Sequence, residues 1–479
     1  MIGSLVDLLR RRAHHALLIC DDERLTYAEA DRWSAELARG LVALGAGKGT
    51  HVGLLYPNGA LFVVGMLAAA RIGAVVVPFS TFQTAAEIQI QLVDSDTEIL
   101  LASSSFRQHD YQQRLAGIDA PCLRHVLFDV PSAAEPDLTG LEADVDGSDP
   151  LAIIYTSGST GPPKGAVHTH AGLLGHQRNL NEIRGLTASD TLFCNSPFFW
   201  IGGFAFGLLA TIVAGSTLVC SNATDAGETL DLLETVRPNI TNGFAAGIAH
   251  LTRHPSFADR DLSALRRGNL YPIMAPDVRP ADPELRHNML GMTEAGSVLL
   301  IDGDESDQPE HRRGSFGRPA PGFDTKILDS GELCIRGPYV MQGYYGRSRE
   351  ECFDADGWFH TGDLVRVDED GYFYYLTRAG SMIKTAGANV TPGEVQKALA
   401  AQGFVAHVLG LPDEERGQIV AAVLVSDGPV DTEALRRALR EALSAYKVPK
   451  RFAVCRPDDL PLLSSGKVDM SALARLFDD

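Results

Sequence analysis

The chain of 479 residues has no Cys-x-x-Cys pair, and its seven cysteines are scattered. That excludes a zinc ribbon and a disulfide framework, and it fits a reducing cytoplasm. No stretch approaches the roughly 18 consecutive apolar residues of a membrane span. The opening run "MIGSLVDLLRRRAHHALLICDDERLTY" is broken by Asp7 and is too short in apolar residues for a signal peptide. It reads as an amphipathic first helix. Basic residues are in deficit, 42 Lys and Arg against 61 Asp and Glu, for a net charge of −19. Nucleic acid and anionic membrane are polyanions and are thereby disfavoured as partners. A small anionic ligand is not, because it needs only local positive charge. Internal repeats and low-complexity tracts are also absent. The length therefore calls for at least two ordinary cores.

What is present reads as alternating strands and helices. "LTYAEADRWSAELARGLVALGAGKG" places apolar residues at helical spacing and stops at glycines. "HVGLLY" is a buried strand, "PNGALFVVGMLAAARIG" a second helix and "AVVVPF" a second strand. The alternation continues through "TEILLAS", "HVLFDV" and "LAIIYT" and predicts α/β layers. Beyond about residue 310 the texture becomes that of hairpins, with β-rich runs flanking "DSGE" and "DEDG". A further α/β region follows, from "VTPGEVQKALAAQ" to "DTEALRRALREAL". The expected fold is a large N-terminal α/β domain with layered sheets and a β-rich subdomain, residues 1–378. A small α+β domain, residues 379–479, follows it. The "RAGS" segment between them is the candidate hinge, because Gly380 has few backbone restrictions.

The stretch "IIYTSGSTGPPKGAVHTH" concentrates hydroxyls and glycines behind a buried strand. Glycines let a ligand approach the backbone, and N–H groups in such loops point at anions. Thr156, Ser157, Gly158, Ser159 and Thr160 followed by Lys164 therefore read as a polyphosphate cradle. It is not a Walker A loop: counted from Gly158, Pro163 stands where the second glycine belongs and Gly165 where Ser or Thr belongs.

"YTSGSTGPPKG" resembles the signature loop of adenylate-forming enzymes, the superfamily of acyl-CoA synthetases, luciferases and peptide-synthetase adenylation domains. "NMLGMTEAG", "GELCIRGPYVMQGYYG", "GWFHTGDL", "TRAGSMIKTAGANVTPGEV" and "LLSSGKVD" resemble that family's further motifs, in the family's order. The resemblance runs from about Leu25 to Val468. It implies ATP, Mg²⁺ and coenzyme A as cofactor and co-substrates, and a small-molecule carboxylic acid as substrate. It leaves a homodimer open.

The resemblance also implies roles. Thr156–Thr160 and Lys164 would hold the β- and γ-phosphates, and Glu294 would ligate Mg²⁺, with Thr156 and Thr293 as helpers. Asn288, Met289 and Leu290 would border adenine. Leu290 stands where the family usually has an aromatic residue, and Tyr375 either compensates or packs its strand. Asp363 would accept both ribose hydroxyls, with Arg378 reaching the same ribose. Lys467 would bridge the carboxylate and the α-phosphate, and Gly387 would line the pantetheine path.

The acyl site is expected in "SPFFWIGGFAFG", which resembles the family's pocket-lining segment. Phe198, Phe199 and Trp200 replace the aspartate that amino-acid-activating relatives carry there, so an amino acid is disfavoured. Trp200 is the expected floor or gate, and Gly203, Gly268 and Gly291 are further expected pocket positions. The implied activity is an AMP-forming acyl-CoA synthetase for an apolar, bulky or cyclic acid. Two other readings stay open: an enzyme that stops at the acyl-adenylate and hands it on, and a non-catalytic adenylate-binding protein.

Overall fold

A computed structural model describes residues 4–133, 135–156, 163–378, 383–390, 392–461, 468 and 470–478. The chain divides into two compact units. The first holds most of the chain up to Thr377. The second holds Arg378–Asp479 together with Phe82–Ile90 and residues 163–164.

Two largely parallel sheets organise the first unit. One runs in the order Gly343–Tyr344, Lys164–Thr169, Pro150–Thr156, Val75–Pro78, His51–Leu55, Ile99–Ala102, His125–Leu127. The other runs Arg267–Gly268, Ile240–Asn242, Thr191–Cys194, Thr217–Cys220, Ala16–Cys20, Glu23–Thr26. Their central strands are largely apolar, as strands covered on both faces are; Val75–Pro78 and Ile99–Ala102 are buried at every position. The helices expected between them form: Tyr27–Ala43, capped by a reciprocal Thr26–Glu29 pair, and Ala60–Arg71, buried almost all round. The "LTYAEADR" run begins as strand, however, because Leu25 and Thr26 close a hairpin with Ala16–Cys20. That leaves Thr26 as the helix cap.

The β-rich part carries the expected hairpins. Asp324–Ile327 pairs with Glu332–Arg336, and that strand pairs in turn with Phe359–Val367. Phe373–Arg378 completes the four-stranded sheet. A separate three-stranded sheet contains Leu290–Met292, Ser297–Ile301 and Arg318–Pro319.

In the second unit Gly417–Val425 is central, flanked by Val405–Asp413, Ile383–Thr385 and Arg451–Cys455. The helices Pro392–Ala401 and Thr432–Ala442 contribute Val395, Leu399, Leu435 and Leu439 to its core. The second unit is not contiguous in sequence. Lys447, nearly buried, donates to Glu87 at 2.9 Å and to Glu394 at 2.8 Å, which seats residues 82–90 within it. Among the described residues no helix is long and apolar enough to cross a membrane.

Candidate active site

The strand Pro150–Thr156 delivers Thr156 at its carboxyl end, and Lys164 opens the neighbouring strand. The loop residues Ser157, Gly158, Ser159 and Thr160 lie outside the described residues. The strand Pro150–Thr156 packs against the turn Thr293–Ala295, which carries Glu294.

Glu294 sits on that turn, at the tip of the hairpin Leu290–Met292 and Ser297–Ile301, and is only 8% exposed. The Tyr344 hydroxyl donates to its Oε1 at 2.7 Å, and its carbonyl accepts from Met341 N–H at 2.8 Å. The hairpin is held from beneath by groups that sequence reasoning did not single out. His168 Nε2 bonds the Thr293 carbonyl at 2.7 Å, and His176 Nε2 bonds the Val298 carbonyl at 2.8 Å. His176 also stacks on Tyr339, with ring centroids 5.2 Å apart. Burial pushes the pKa of both histidines down to about 4, against the backbone hydrogen bonds that favour protonation. Each is therefore neutral near pH 7 and donates one N–H to its carbonyl. The cue in sequence was the "HTH" run opening a helix, but the partners of His168 and, within that helix, of His176 are over 100 residues away.

Of the adenine positions, Asn288 is exposed, Met289 half-buried and Leu290 packed in the core beside Val298 and Leu300. Tyr375 packs against Phe316 at 6.0 Å, which favours the strand-packing alternative for it. Gly291 is exposed at the bulge of the same hairpin, and Thr293 is half-buried.

Asp363 lies on a bulge. Glu332 pairs with Leu364 while Cys334 pairs with His360, so the strand Phe359–Val367 loops out at Thr361–Asp363. Gly362 supplies the left-handed backbone there, at φ 71°. Thr361 Oγ1 donates to the Leu333 carbonyl at 2.6 Å and accepts from Asp363 N–H at 3.1 Å, which fixes the bulge. Asp363 is 5% exposed. Tyr375 and Arg378 lie on the adjacent strand of the same sheet, and the Arg378 side chain lies outside the described residues.

The segment expected to line the acyl site, residues 196–207, runs into a π-helix, Gly202–Leu209. Such helices are rare and concentrate at functional sites. A Cβ on Gly203 would stand 2.0 Å from the Pro197 carbonyl oxygen, so the helix start tolerates no side chain there. Phe198 and Phe204 are fully buried against Phe62, whereas Trp200 is half-buried. Trp200 meets Phe199 and Phe244 edge-on, at 5.4 and 6.5 Å. Phe244, missed in the sequence, is held by two asparagines. Asn195 bonds both the N–H and the carbonyl of Phe244 at 3.0 Å, and Asn269 bonds those of Gly243 at 3.1 and 2.8 Å. Gly268 precedes Asn269, and a Cβ on it would stand 1.9 Å from the Thr241 carbonyl oxygen.

In the second unit Gly387 occupies the two-residue turn between Ile383–Thr385 and Ala388–Val390. Ala386 and Gly387 both have positive φ, 48° and 81°, as a type I′ hairpin turn demands. Gly380 and Lys467 lie outside the described residues.

Residues 7–345 match the family model described as AMP-binding enzyme, and residues 394–467 match that of the AMP-binding enzyme C-terminal domain. The chain belongs to the AMP-binding enzyme family. Within that family it is 33% identical over 477 residues to a feruloyl-CoA synthase of Amycolatopsis sp, covering 95% of this chain and 94% of that one. It is 32% identical over 505 residues to 3-[(3aS,4S,7aS)-7a-methyl-1,5-dioxo-octahydro-1H-inden-4-yl]propanoyl:CoA ligase of Mycobacterium tuberculosis, covering 99% and 98%. Among solved structures it resembles o-succinylbenzoate CoA synthetase of Bacillus subtilis, with a TM-score of 0.78 at 25% identity, covering 99% and 98%.

Proposed function

We propose that this chain is an AMP-forming acyl-CoA synthetase that activates a cyclic, largely apolar carboxylic acid. One observation carries the reading: the whole chain, both family models included, matches relatives named CoA ligases. In the first half-reaction a carboxylate oxygen of the acid attacks the α-phosphorus of ATP, and pyrophosphate leaves. In the second, the coenzyme A thiolate attacks the acyl carbon, and AMP leaves with that oxygen. Both steps gather negative charge on oxygen, so positioned cations and donors do most of the work.

Glu294 and Thr156 fit Mg²⁺ by chemistry: a carboxylate and a hydroxyl are hard oxygen donors, and this ion usually keeps waters and substrate phosphates as its other ligands. Among the described residues no group of three or more His, Cys, Asp and Glu side chains converges into a complete metal cage. Bound there, Mg²⁺ would neutralise charge on the phosphates. Tyr344 would hold the Glu294 carboxylate in place. Asp363 would accept the ribose hydroxyls from its bulge, with Arg378 at the end of the neighbouring strand reaching the same ribose. Lys467 would bridge carboxylate and α-phosphate, a role resting on the "SSGK" motif at the end of the C-terminal match. Lys164 and the hydroxyl loop would take the outer phosphates, and Gly387 would leave the pantetheine path open.

Trp200, Phe199 and Phe244 support a ring-bearing acid. Phe244 is exposed and Trp200 half-buried, they meet edge-on with Phe199 buried behind Trp200, and flat rings pack on such surfaces in offset or edge-on geometry. The names of the feruloyl and indane-propanoyl relatives agree with that class. The test is a panel of aromatic, alicyclic and straight-chain acids with ATP and coenzyme A, read for pyrophosphate and for acyl-CoA. Preference for ring acids with thioester product supports the reading. Preference for straight chains removes the substrate class, and absence of acid-dependent pyrophosphate removes the activity.

A further inference from the structure

A charge taken out of water is costly unless an opposite charge meets it. Arg184, the last residue of the helix His170–Arg184, is a charge that none meets. Its Nη2 donates to Asn181 Oδ1 at 3.0 Å and to the Phe206 carbonyl at 3.1 Å. Its guanidinium lies 4.0 Å from the centroid of the Phe206 ring. Its Nε is buried and has no hydrogen-bond partner among the described residues. No carboxylate among them pairs with it: the ionisable groups that act on it are the Cys194 thiol and a second guanidinium, that of Arg267. Asp190 is engaged elsewhere, by Arg267 at 3.8 Å, Thr187 N–H at 2.6 Å and Asn239 Nδ2 at 2.8 Å. Arg71, whose side chain is 1% exposed, shows the usual solution, since Asp31 and Glu142 both pair with it. Burial pushes the pKa of Arg184 down to about 9, and Arg267 pushes it the same way.

Two observations tie this guanidinium to the region expected to hold the acid. The first is its acceptor. An arginine in the last turn of a helix is ordinarily spent on that helix's own carbonyls. Arg184 instead reaches across to Phe206, in the π-helix Gly202–Leu209. Asn242 Nδ2 shares the same carbonyl at 3.4 Å. The second is the pair of strand ends beside it. Cys194 and Asn242 are the last residues of Thr191–Cys194 and Ile240–Asn242, and they pair with each other in the sheet. The residues that follow them are Asn195 and Gly243–Phe244. Asn195 holds the Phe244 backbone, and the Phe244 ring meets Trp200. Arg184 is therefore bound up with the two strands that deliver the Trp200–Phe244 pair. The carboxyl ends of parallel strands are where α/β sheets bind ligands. Arg184 is half-buried, so it is held in place and retains surface for a ligand.

We propose that Arg184 pairs with a second carboxylate at the far end of the acid, so that the preferred substrate is a ring-bearing dicarboxylic acid of which one carboxylate is adenylated and the other is held. The inference rests on the acyl-CoA synthetase reading and narrows its substrate class. The reacting carboxylate belongs at the α-phosphate of ATP, so the partner of Arg184 is a different group of the acid. A neutral acceptor would satisfy Nε but leave the charge unpaired. A carboxylate does both, and guanidinium–carboxylate pairs are among the strong hydrogen bonds. The ring then separates the two carboxylates and leaves the apolar part of the acid to Trp200 and Phe244.

The experiment compares wild type, Arg184→Gln and Arg184→Lys on phenylpropanoic and cyclohexylpropanoic acids. Each acid carries hydrogen, a carboxamide or a carboxylate on the ring carbon opposite the side chain. The readout is kcat/KM for acid-dependent pyrophosphate release, with a thermal melt of each variant. Wild type should favour the carboxylate over the carboxamide by about 10- to 150-fold, the range of a hydrogen bond to a charged group. Arg184→Gln should lose that preference and leave the carboxamide within about 2-fold of wild type, as expected where two groups do not interact. Arg184→Lys should keep part of it, having the charge without the planar fork. A wild type that uses the carboxamide or the unsubstituted acid as well as the carboxylate overturns the inference. So does an equal loss on all three acids in Arg184→Gln with a lowered melting temperature, which would make Arg184 a prop of the π-helix. Both of those outcomes leave the synthetase reading standing. If wild type releases pyrophosphate with none of these acids and none of the wider panel, the synthetase reading fails and the inference fails with it.

Discussion

The hydroxyl of Tyr344 is the clearest point at which the structure makes a quantitative claim about the site. It donates to Glu294 Oε1 at 2.7 Å, and Glu294 is 8% exposed on a turn that is itself held by His168 and Met341. Tyr344→Phe removes the donor and little else. A hydrogen bond to a charged group is worth about 1.5–3 kcal/mol, which corresponds to about 10- to 150-fold in rate. The assay is kcat/KM for acid-dependent pyrophosphate release across a Mg²⁺ titration, in a cycle with Glu294→Gln and the double variant. If Tyr344 acts through Glu294, the double variant is no slower than Glu294→Gln alone. Apparent Mg²⁺ affinity then falls in Tyr344→Phe. A thermal melt of each variant separates this from loss of fold. Additivity within about 0.5 kcal/mol would show the two side chains to be independent and refute the reasoning.

Three further outcomes follow from other parts of the molecule. Lys467→Ala should abolish acid-dependent pyrophosphate release yet spare thioester formation from a supplied acyl-adenylate; equal loss of both half-reactions in a folded protein counts against its role. Trp200→Ala should change the ranking of acids by about 10- to 200-fold in relative kcat/KM, because fit of a methylene-sized group is worth about 1–3 kcal/mol. A lowered melting temperature with an unchanged ranking would make Trp200 a core residue instead. Finally, His168, His170 and His176 are all buried and all pushed down to about 4 from 6.5, so the unfolded chain binds protons that the folded chain refuses. Their contribution is whole above pH 6.5 and is lost as pH falls towards 4, by up to about 3 kcal/mol each. Urea midpoints between those pH values should therefore fall steeply, and less steeply in His176→Gln; an identical slope in the variant would contradict the assignment.

How far the fold could be read depended on how local its causes are. The helix Tyr27–Ala43, the buried strand Ile99–Ala102 and the hairpins turning at "DSGE" and "DEDG" follow from periodicity and turn chemistry within a dozen residues, and all form. The π-helix at Gly202–Leu209 was not legible, because no residue propensity marks one and the close approach of Gly203 to the Pro197 carbonyl exists only in the folded chain. The motif residues Glu294 and Asp363 were legible as motifs, but what holds them was not. Tyr344 and His168 reach Glu294 and its turn across 50 and 125 residues. The bulge at Asp363 is a register shift that becomes visible only once Glu332 and Cys334 are paired. Leu290, a position expected to border adenine by its place in the motif, has its side chain packed in the core, which the motif alone did not show. Phe244 was missed because its backbone and that of Gly243 are held by Asn195 and Asn269, which follow two other strands of the sheet.

The most direct test of the whole account follows an oxygen atom. The preferred acid, labelled with ¹⁸O in its carboxylate, is incubated with ATP, Mg²⁺ and coenzyme A, and the nucleotide product is analysed by mass spectrometry. If the acid is adenylated and then transferred to the thiol, each AMP released carries a single carboxylate oxygen and pyrophosphate carries none. Label that stays out of AMP, or ADP and phosphate in place of AMP and pyrophosphate, would contradict the adenylate route on which every residue role above depends.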